Sequence, residues 1–178
     1  MKLFFYFTVY CFLSLSNIFG QDLNTELSCI EKFSSLTGVV IEKEYIELGN
    51  IDVVDVRFMK VRNLSAKDSL AALRLEYQFE NQVITKTIIA YIDADEFKAT
   101  KNAIRTIITI LPSKKIDNSE VSFRTRSGVI FGCYYSPEQK KWATYIQLDF
   151  TNSKSTVFIS KIELAHFINI IEDAEKLR

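Results

Sequence analysis

The stretch YIDADEF at 91–97 and the stretch FISKIEL at 158–164 match position by position, 67 residues apart. Each runs from residues that favour a strand into the start of a helical pattern. Asp93 with Glu96, and Ser160 with Glu163, have the spacing of a capping box, in which an N-cap side chain and an N3 carboxylate satisfy free N–H groups of the first turn. These two boxes are therefore predicted to begin two helices.

Helical periodicity follows each box. After the first box, apolar residues recur at helical spacing up to Pro112, which predicts a helix over about 95–111. After the second box, the apolar stripe from Leu164 to Ile171 predicts a helix over about 161–176.

Strand-forming segments precede each helix. Alternating Val, Ile, Tyr, Phe and Thr residues predict strands at 38–48, 51–62, 70–79 and 83–92, and again at 119–126, 128–135, 141–150 and 154–159. Sequences within these strands are also similar: LEYQFEN at 75–81 aligns with IQLDFTN at 146–152. We infer an α+β fold built from duplicated ββββα units, with antiparallel sheets, one helix each and pseudo-two-fold symmetry.

The duplication also predicts how the chain is organised. The repeats span about 37–111 and 119–178. One helix cannot cover both faces of a four-stranded sheet, so we expect the two units to complete each other around one core. The whole of 21–178 is therefore predicted to be a single domain.

Residues 1–20 have the order of a secretory signal peptide. Lys2 is followed by an apolar stretch from Leu3 to Leu15 and then by a short polar break that ends in Gly20. The apolar stretch of about 13 residues is shorter than the roughly 17–25 of a membrane-spanning helix. We expect an exported protein, periplasmic or extracellular, with no transmembrane span after cleavage.

Export changes both the charge and the cysteine count. Removing Lys2 leaves 21 basic and 22 acidic residues, so the domain is close to neutral, which disfavours nucleic acid as a partner. Cys11 leaves with the signal. Cys29 and Cys133 are then a possible disulfide in an oxidising compartment, or two buried thiols.

Catalytic and metal-binding motifs are missing from the sequence. His166, the only histidine, lies opposite the apolar stripe of its predicted helix, and one histidine with two distant cysteines does not make a zinc site. There is no glycine-rich phosphate loop and no nucleophile elbow. We predict no catalytic residue, no cofactor and no metal. The alternative left open is a hydrolase that uses carboxylates with Tyr or Lys, from the set Glu76, Glu80, Asp93 and Glu96.

Basic and aromatic residues gather in the second repeat. The candidate ligand-binding residues are Arg124, Arg126, Tyr135 and Trp142, with Lys140, Lys141, Tyr134 and Tyr145 close to them in sequence. Such a group is typical of surfaces that hold single-stranded nucleic acid, and strand aromatics also serve as core. A glycan, an anionic lipid head group or a protein suits the same surface.

The duplicated unit, with text such as STVFIS at 155–160 leading into a capped helix, resembles the Whirly and PUR-repeat folds that bind single-stranded nucleic acid. The resemblance covers most of 37–178. The chain is also similar to small exported proteins of Gram-negative bacteria that share text of the YIDxDE and FxTRxG type, seen here at 91–96 and 123–128. The first likeness implies single-strand binding and the second implies no activity. The leading hypothesis is a non-enzymatic exported domain that binds a protein, glycan or other envelope component through a sheet face or edge.

Overall fold

A computed structural model describes residues 27–81, 84–111 and 119–178. The predicted signal peptide at 1–20 lies outside these ranges. The elements in chain order are α1 (Cys29–Ser34), β1 (Ile41–Ile51), β2 (Val54–Asn63), β3 (Ser69–Asn81), β4 (Ile84–Asp93), α2 (Phe97–Ile110), β5 (Glu120–Arg124), β6 (Ile130–Ser136), β7 (Lys141–Gln147), a 3-10 turn (Ser153–Ser155), β8 (Thr156–Ile159) and α3 (Lys161–Lys176). Among the described residues no helix is both long and apolar enough to cross a membrane.

The duplicated ββββα architecture is confirmed. β1 to β4 form one antiparallel sheet in chain order and β5 to β8 form a second, and each sheet is followed by a helix. Along each strand, side chains that face the shared core alternate with side chains that face away from it, because successive residues of a strand point to opposite faces of the sheet. In β2, for example, Val54, Val56 and Phe58 point to the core.

The two repeats share one hydrophobic core. Phe58 and Phe97 of the first repeat belong to the same buried cluster as Phe131 and Phe167 of the second. The rings of Phe131 and Phe167 stack with centroids 5.3 Å apart. The apolar faces of both repeats are therefore buried in the same cluster.

Each of the two long helices lies close to the sheet of the other repeat. α2 lies close to β5 and β6 of the second sheet, and α3 lies close to β1 of the first. The helices also contact each other, with Lys101 bound to Glu175 at 2.6 Å and Arg105 to Glu172 at 3.0 Å. Later residues of α2 meet earlier residues of α3, so the helices run antiparallel, as a pseudo-two-fold requires.

Helix α1 was not predicted from the sequence. Ser28 and Glu31 form a capping box that begins it, and Ile30 is fully buried. α1 packs on the face of the first sheet that points away from the shared core, where Met59 and Ala72 are buried beneath it. Ordered packing therefore begins before the predicted repeat boundary near 37.

One predicted cap is confirmed and the other is wrong. Ser160 and Glu163 form the expected capping box on α3. At the first site, however, α2 begins after Glu96 without a side-chain cap, and Asp93 is used elsewhere. Its carboxylate accepts hydrogen bonds from the backbone N–H groups of Cys29 and Ile30 and from the guanidinium of Arg126. A buried carboxylate is stabilised more by a cation and two N–H donors than by one cap.

Candidate functional site

The strand registers relate the two sheets residue by residue. In the first sheet Arg74 pairs with Tyr91, and in the second Tyr145 pairs with Phe158. These pairs coincide when the matched stretches of the two repeats are aligned. Tyr91 and Phe158 thus hold equivalent positions on the outer faces of their sheets, the faces that point away from the shared core.

Two further equivalences follow from the same alignment. Met59 pairs with Ala72 in the first sheet, and Tyr134 pairs with Ala143 in the second. The outer face of the first sheet therefore carries Met59, Ala72 and Tyr91 where the second sheet carries Tyr134, Ala143 and Phe158.

Equivalent positions differ in what covers them. In the first sheet, Ile30 of α1 packs with Met59 and Ala72, and Tyr91 lies against the same cluster. In the second sheet, Tyr134 is 37% exposed and Phe158 is 60% exposed. Their rings meet edge to face with centroids 6.2 Å apart. At these matched positions α1 covers the first sheet, whereas the aromatic surface of the second sheet is open.

A groove of about 700 Å³ begins at this open surface. We call it the aromatic groove. Its aromatic lining consists of Tyr134, Tyr135, Trp142 and Phe158, and its cationic lining consists of Lys140, Lys141 and Lys161. The groove follows the edge of β7 where β8 has ended, because Thr144 opposite Ile159 is the last pair between these strands.

The groove is preorganised by its hairpin. Tyr135 and Trp142 pair across β6 and β7, and their rings contact edge to face at 5.6 Å. Lys140 takes a positive φ of 52° in the turn that joins these strands. Aromatic rings held by a strand register lose little side-chain freedom on binding a ligand.

The charge of the groove is positive. All the described residues that line it are neutral or basic. Glu138 of the same turn lines a neighbouring depression instead, and Glu163 closes the cap of α3. Lys140, Lys141 and Lys161 therefore create a local positive field on a domain that is close to neutral.

Tyr145 supports the outer face beside the groove. Its ring lies across Gly132, where an added Cβ would be 2.5 Å from Cζ of the ring. Its hydroxyl donates to Glu120. Burial, together with this acceptor, raises the pKa of Tyr145 above its usual range. The tyrosine stays neutral and fixes β5 against β7.

A second cluster joins the repeats at Arg126. The guanidinium lies 2.7 Å from Asp93 and 2.8 Å from Asp95, and the backbone N–H of Arg126 donates to Glu96 at 2.8 Å. The thiol of Cys29 lies 3.0 Å from the same guanidinium. The text YIDxDE at 91–96 and the text FxTRxG at 123–128 thus meet in one contact between the repeats.

Within the described ranges, this cluster is the group of carboxylates that comes nearest to a metal-binding arrangement. Asp93, Asp95 and Glu96 can place one oxygen each within 4.8 Å of the others. Arg126 already supplies the positive charge, and its hydrogen bond lowers the pKa of Asp95. Burial raises the pKa of Glu96, which opposes the charge that a metal ligand must carry. The arrangement is explained as an ion-pair contact that holds the repeats together.

The structure distributes the sequence-predicted site residues over three places. Tyr135 and Trp142 lie together in the aromatic groove. Arg124 lies over the ring of Phe150 at 4.5 Å, and Arg126 lies in the contact between the repeats.

The two cysteines proposed as a possible disulfide are free thiols in the structure. Cys133 is buried in the shared core, whereas Cys29 begins α1 beside Arg126. Burial raises the pKa of both thiols.

Sequence reasoning did not place Phe158 and Lys161 in the site. Both were visible in the match between 91–97 and 158–164, which aligns Phe158 with Tyr91 and Lys161 with Ala94. What was missing was α1, because a six-residue helix leaves only a weak periodic signal. Unless α1 is known, the sequence does not show that Tyr91 is covered and Phe158 is exposed.

The carboxylates considered for catalysis are engaged structurally. Glu76 accepts from Arg74 and lies 3.5 Å from Arg57. Asp93 and Glu96 belong to the contact with Arg126. The side chain of Glu80 lies outside the described part of the structure.

Comparison of the chain with protein-family models, with curated proteins and with solved structures finds no match.

Proposed function

We propose that the protein is an exported, non-enzymatic binding domain of the cell envelope, and that the aromatic groove holds its ligand. The observation that carries this proposal is the asymmetry between equivalent surfaces. Met59, Ala72 and Tyr91 are packed with α1, whereas Tyr134 and Phe158 at the matching positions are exposed. An exposed apolar surface rimmed by polar groups is typical of an interaction site.

The energetics favour a ligand with apolar groups. Fully burying an aromatic side chain stabilises a complex by about 2 kcal/mol, and Phe158 has more than half of its surface left to bury. Trp142 and Tyr135 add rings that are already fixed by the hairpin. The lysines add attraction for negative charge, which accelerates association and selects among partners.

The location in the envelope and the non-enzymatic role rest on two different observations. The signal-like order of residues 1–20 motivates the location, and the engagement of Glu76, Asp93 and Glu96 in ion pairs and hydrogen bonds disfavours the carboxylate hydrolase. Binding of single-stranded nucleic acid is disfavoured because the guanidinium of Arg126 already forms ion pairs with Asp93 and Asp95. A nucleic-acid surface uses such residues for phosphate contacts.

Site-specific photocrosslinking in the exporting cell tests the proposal. A photoreactive phenylalanine analogue replaces Phe158 in one variant and Tyr45 in the control. Tyr45 is an equally suitable control because it is an aromatic residue, 49% exposed, on the first sheet. We expect discrete adducts from position 158 and none from position 45. Equal adducts at both positions, or none at 158, would contradict the proposal.

A further inference from the structure

Helix α1 provides an internal example of what the outer face of a sheet in this protein accepts. It is a single short helix that places Ile30 and Phe33 on one side, and both pack with Met59, Val61 and Ala72. The backbone N–H groups of Cys29 and Ile30 at its N-terminus donate hydrogen bonds to the carboxylate of Asp93 at 2.6 Å and 3.1 Å. Two apolar side chains and one polar anchor are enough to hold it.

The second sheet offers an apolar surface at the matching positions, but the groups that could anchor a ligand there have the opposite charge. The position equivalent to Asp93 is Ser160, whose side chain is already used to cap α3. Lys161 follows it in sequence and lines the groove together with Lys140 and Lys141. In the first sheet the polar group that holds the helix is the carboxylate of Asp93, whereas in the second sheet the polar groups beside the apolar surface are lysines.

We infer that the occupant of the aromatic groove is a short amphipathic segment of another protein, with two large apolar side chains on one face and carboxylates beside them. This inference rests on the proposed function and names its partner. The apolar pair covers Tyr134 and Phe158 as Ile30 and Phe33 cover the first sheet. The carboxylates meet Lys141 and Lys161, because opposite charges at the rim fix the register of a bound segment.

Alternative occupants fit these observations less well. A second copy that docked through the same open face would bring its own Lys140, Lys141 and Lys161 against like charges. A copy that docked through α1 would have to release Ile30, which is fully buried. A nucleic-acid strand would satisfy the lysines and stack on rings. The nearby arginines that would extend its phosphate contacts are engaged, however, Arg124 over Phe150 and Arg126 with Asp93 and Asp95. Both alternatives are distinguished by the experiment below.

The probe is a synthetic amphipathic peptide with Ile and Phe three positions apart and Glu at the flanking positions. It is titrated into the isotope-labelled protein, purified in its mature form after export, and followed by NMR. Three control titrations use the peptide with Lys in place of Glu, a thymidine oligonucleotide, and the protein alone at rising concentration. The variant Lys141→Glu is compared with Lys43→Glu, which changes a charge on β1 of the first sheet.

We expect the acidic peptide to shift signals of Tyr134, Trp142 and Phe158 and to leave Tyr45 unchanged. Lys141→Glu should weaken binding about five-fold, in keeping with one partly exposed ion pair, and Lys43→Glu should not. The inference is overturned if the acidic peptide leaves these signals unchanged, or if the lysine peptide or the oligonucleotide shifts them at lower concentration. Shifts produced by the protein alone would identify a second copy as the occupant and also overturn it.

The two proposals fail in different ways. If the oligonucleotide or the lysine peptide binds at Phe158, the groove remains a binding site and only the identity of its occupant is wrong. If photocrosslinking at position 158 also yields nothing, the proposed function falls as well.

Discussion

Arg126 of the second repeat contacts Asp93 of the first, with 2.7 Å between Nη1 and Oδ2, and the carboxylate side chain is 4% exposed. The same carboxylate receives two backbone N–H groups of α1. One buried charge thus connects the first repeat, the second repeat and the helix that covers the first sheet. It explains why a helix as short as α1 is held in place.

The contact between Arg126 and Asp93 should matter for stability. We expect Arg126→Ala to lower the free energy of unfolding by about 2 to 3 kcal/mol, because it leaves a buried carboxylate without its cation and part of the pair is screened by solvent. Urea unfolding measures the change. The matched control is Arg62→Ala, which removes exposed pairs with Glu42 and Glu44 and should cost less than about 1 kcal/mol. Equal costs for the two variants would contradict this account.

Glu96 should make stability depend on pH. Burial raises its pKa above the ordinary value of 4.5, so the folded state binds the proton more tightly than the unfolded state. The stability this group contributes is therefore present below pH 4.5 and is lost as the pH rises through the folded pKa.

Glu96→Gln tests this sign. The amide keeps an acceptor for the N–H of Arg126 and replaces Oε2, which is buried without a hydrogen-bond partner. We expect the variant to gain stability relative to wild type between about pH 4 and about pH 7, since only the wild type loses its contribution there. Urea unfolding at both pH values gives the difference, and a difference that stays constant or shrinks with rising pH would refute the prediction.

Gly132 is required by the ring of Tyr145. A Cβ at position 132 would lie 2.5 Å from Cζ and Oη of that ring, so Gly132→Ala should destabilise by about 1 to 3 kcal/mol. In a Tyr145→Ala background the same change should cost at least about 1 kcal/mol less, because the two sites are coupled. Thermal or urea unfolding of the four proteins provides the cycle. Additive effects would show that the ring does not constrain this position.

The thiols should respond differently to alkylation. Cys133 is fully buried in the shared core, whereas Cys29 is half-buried at the start of α1. We use a protein that begins at residue 21, as cleavage of the predicted signal would leave it. Without reductant, we expect labelling at Cys29 alone in the native state and at both cysteines after unfolding. Burial and Asp93 raise the pKa of Cys29, so its labelling should be slow at neutral pH. Mass spectrometry counts the labels, and an unfolded protein that accepts none would reveal a disulfide.

The repeat architecture was predictable because its signals are local. Alternation, helical periodicity and the Ser160 and Glu163 cap are each written within a few residues. Asp93 has the same local spacing, yet its partners lie 33 residues ahead at Arg126 and 64 residues back at Cys29. A tertiary ion pair therefore overrode a local cap that sequence reasoning favoured.

The site was predictable only in part for the same reason. Tyr135 and Trp142 come together because a hairpin register joins nearby residues. Arg126 was grouped with them by sequence proximity, although the strand ends at Arg124 and the next turn points it toward the first repeat. Phe158 is open because α1 packs on the first sheet and not on the second. No sequence pattern around residue 158 indicates where α1 packs.

The account depends most on the aromatic groove being a binding site centred on Phe158. Trp142, the only tryptophan, lies in that groove and its fluorescence reports on occupancy. Titration of the acidic amphipathic peptide should give a dissociation constant that rises about ten-fold or more in Phe158→Ala, as for a central aromatic contact, and that is unchanged in Tyr45→Ala. A dissociation constant that is the same in wild type and Phe158→Ala would contradict the account.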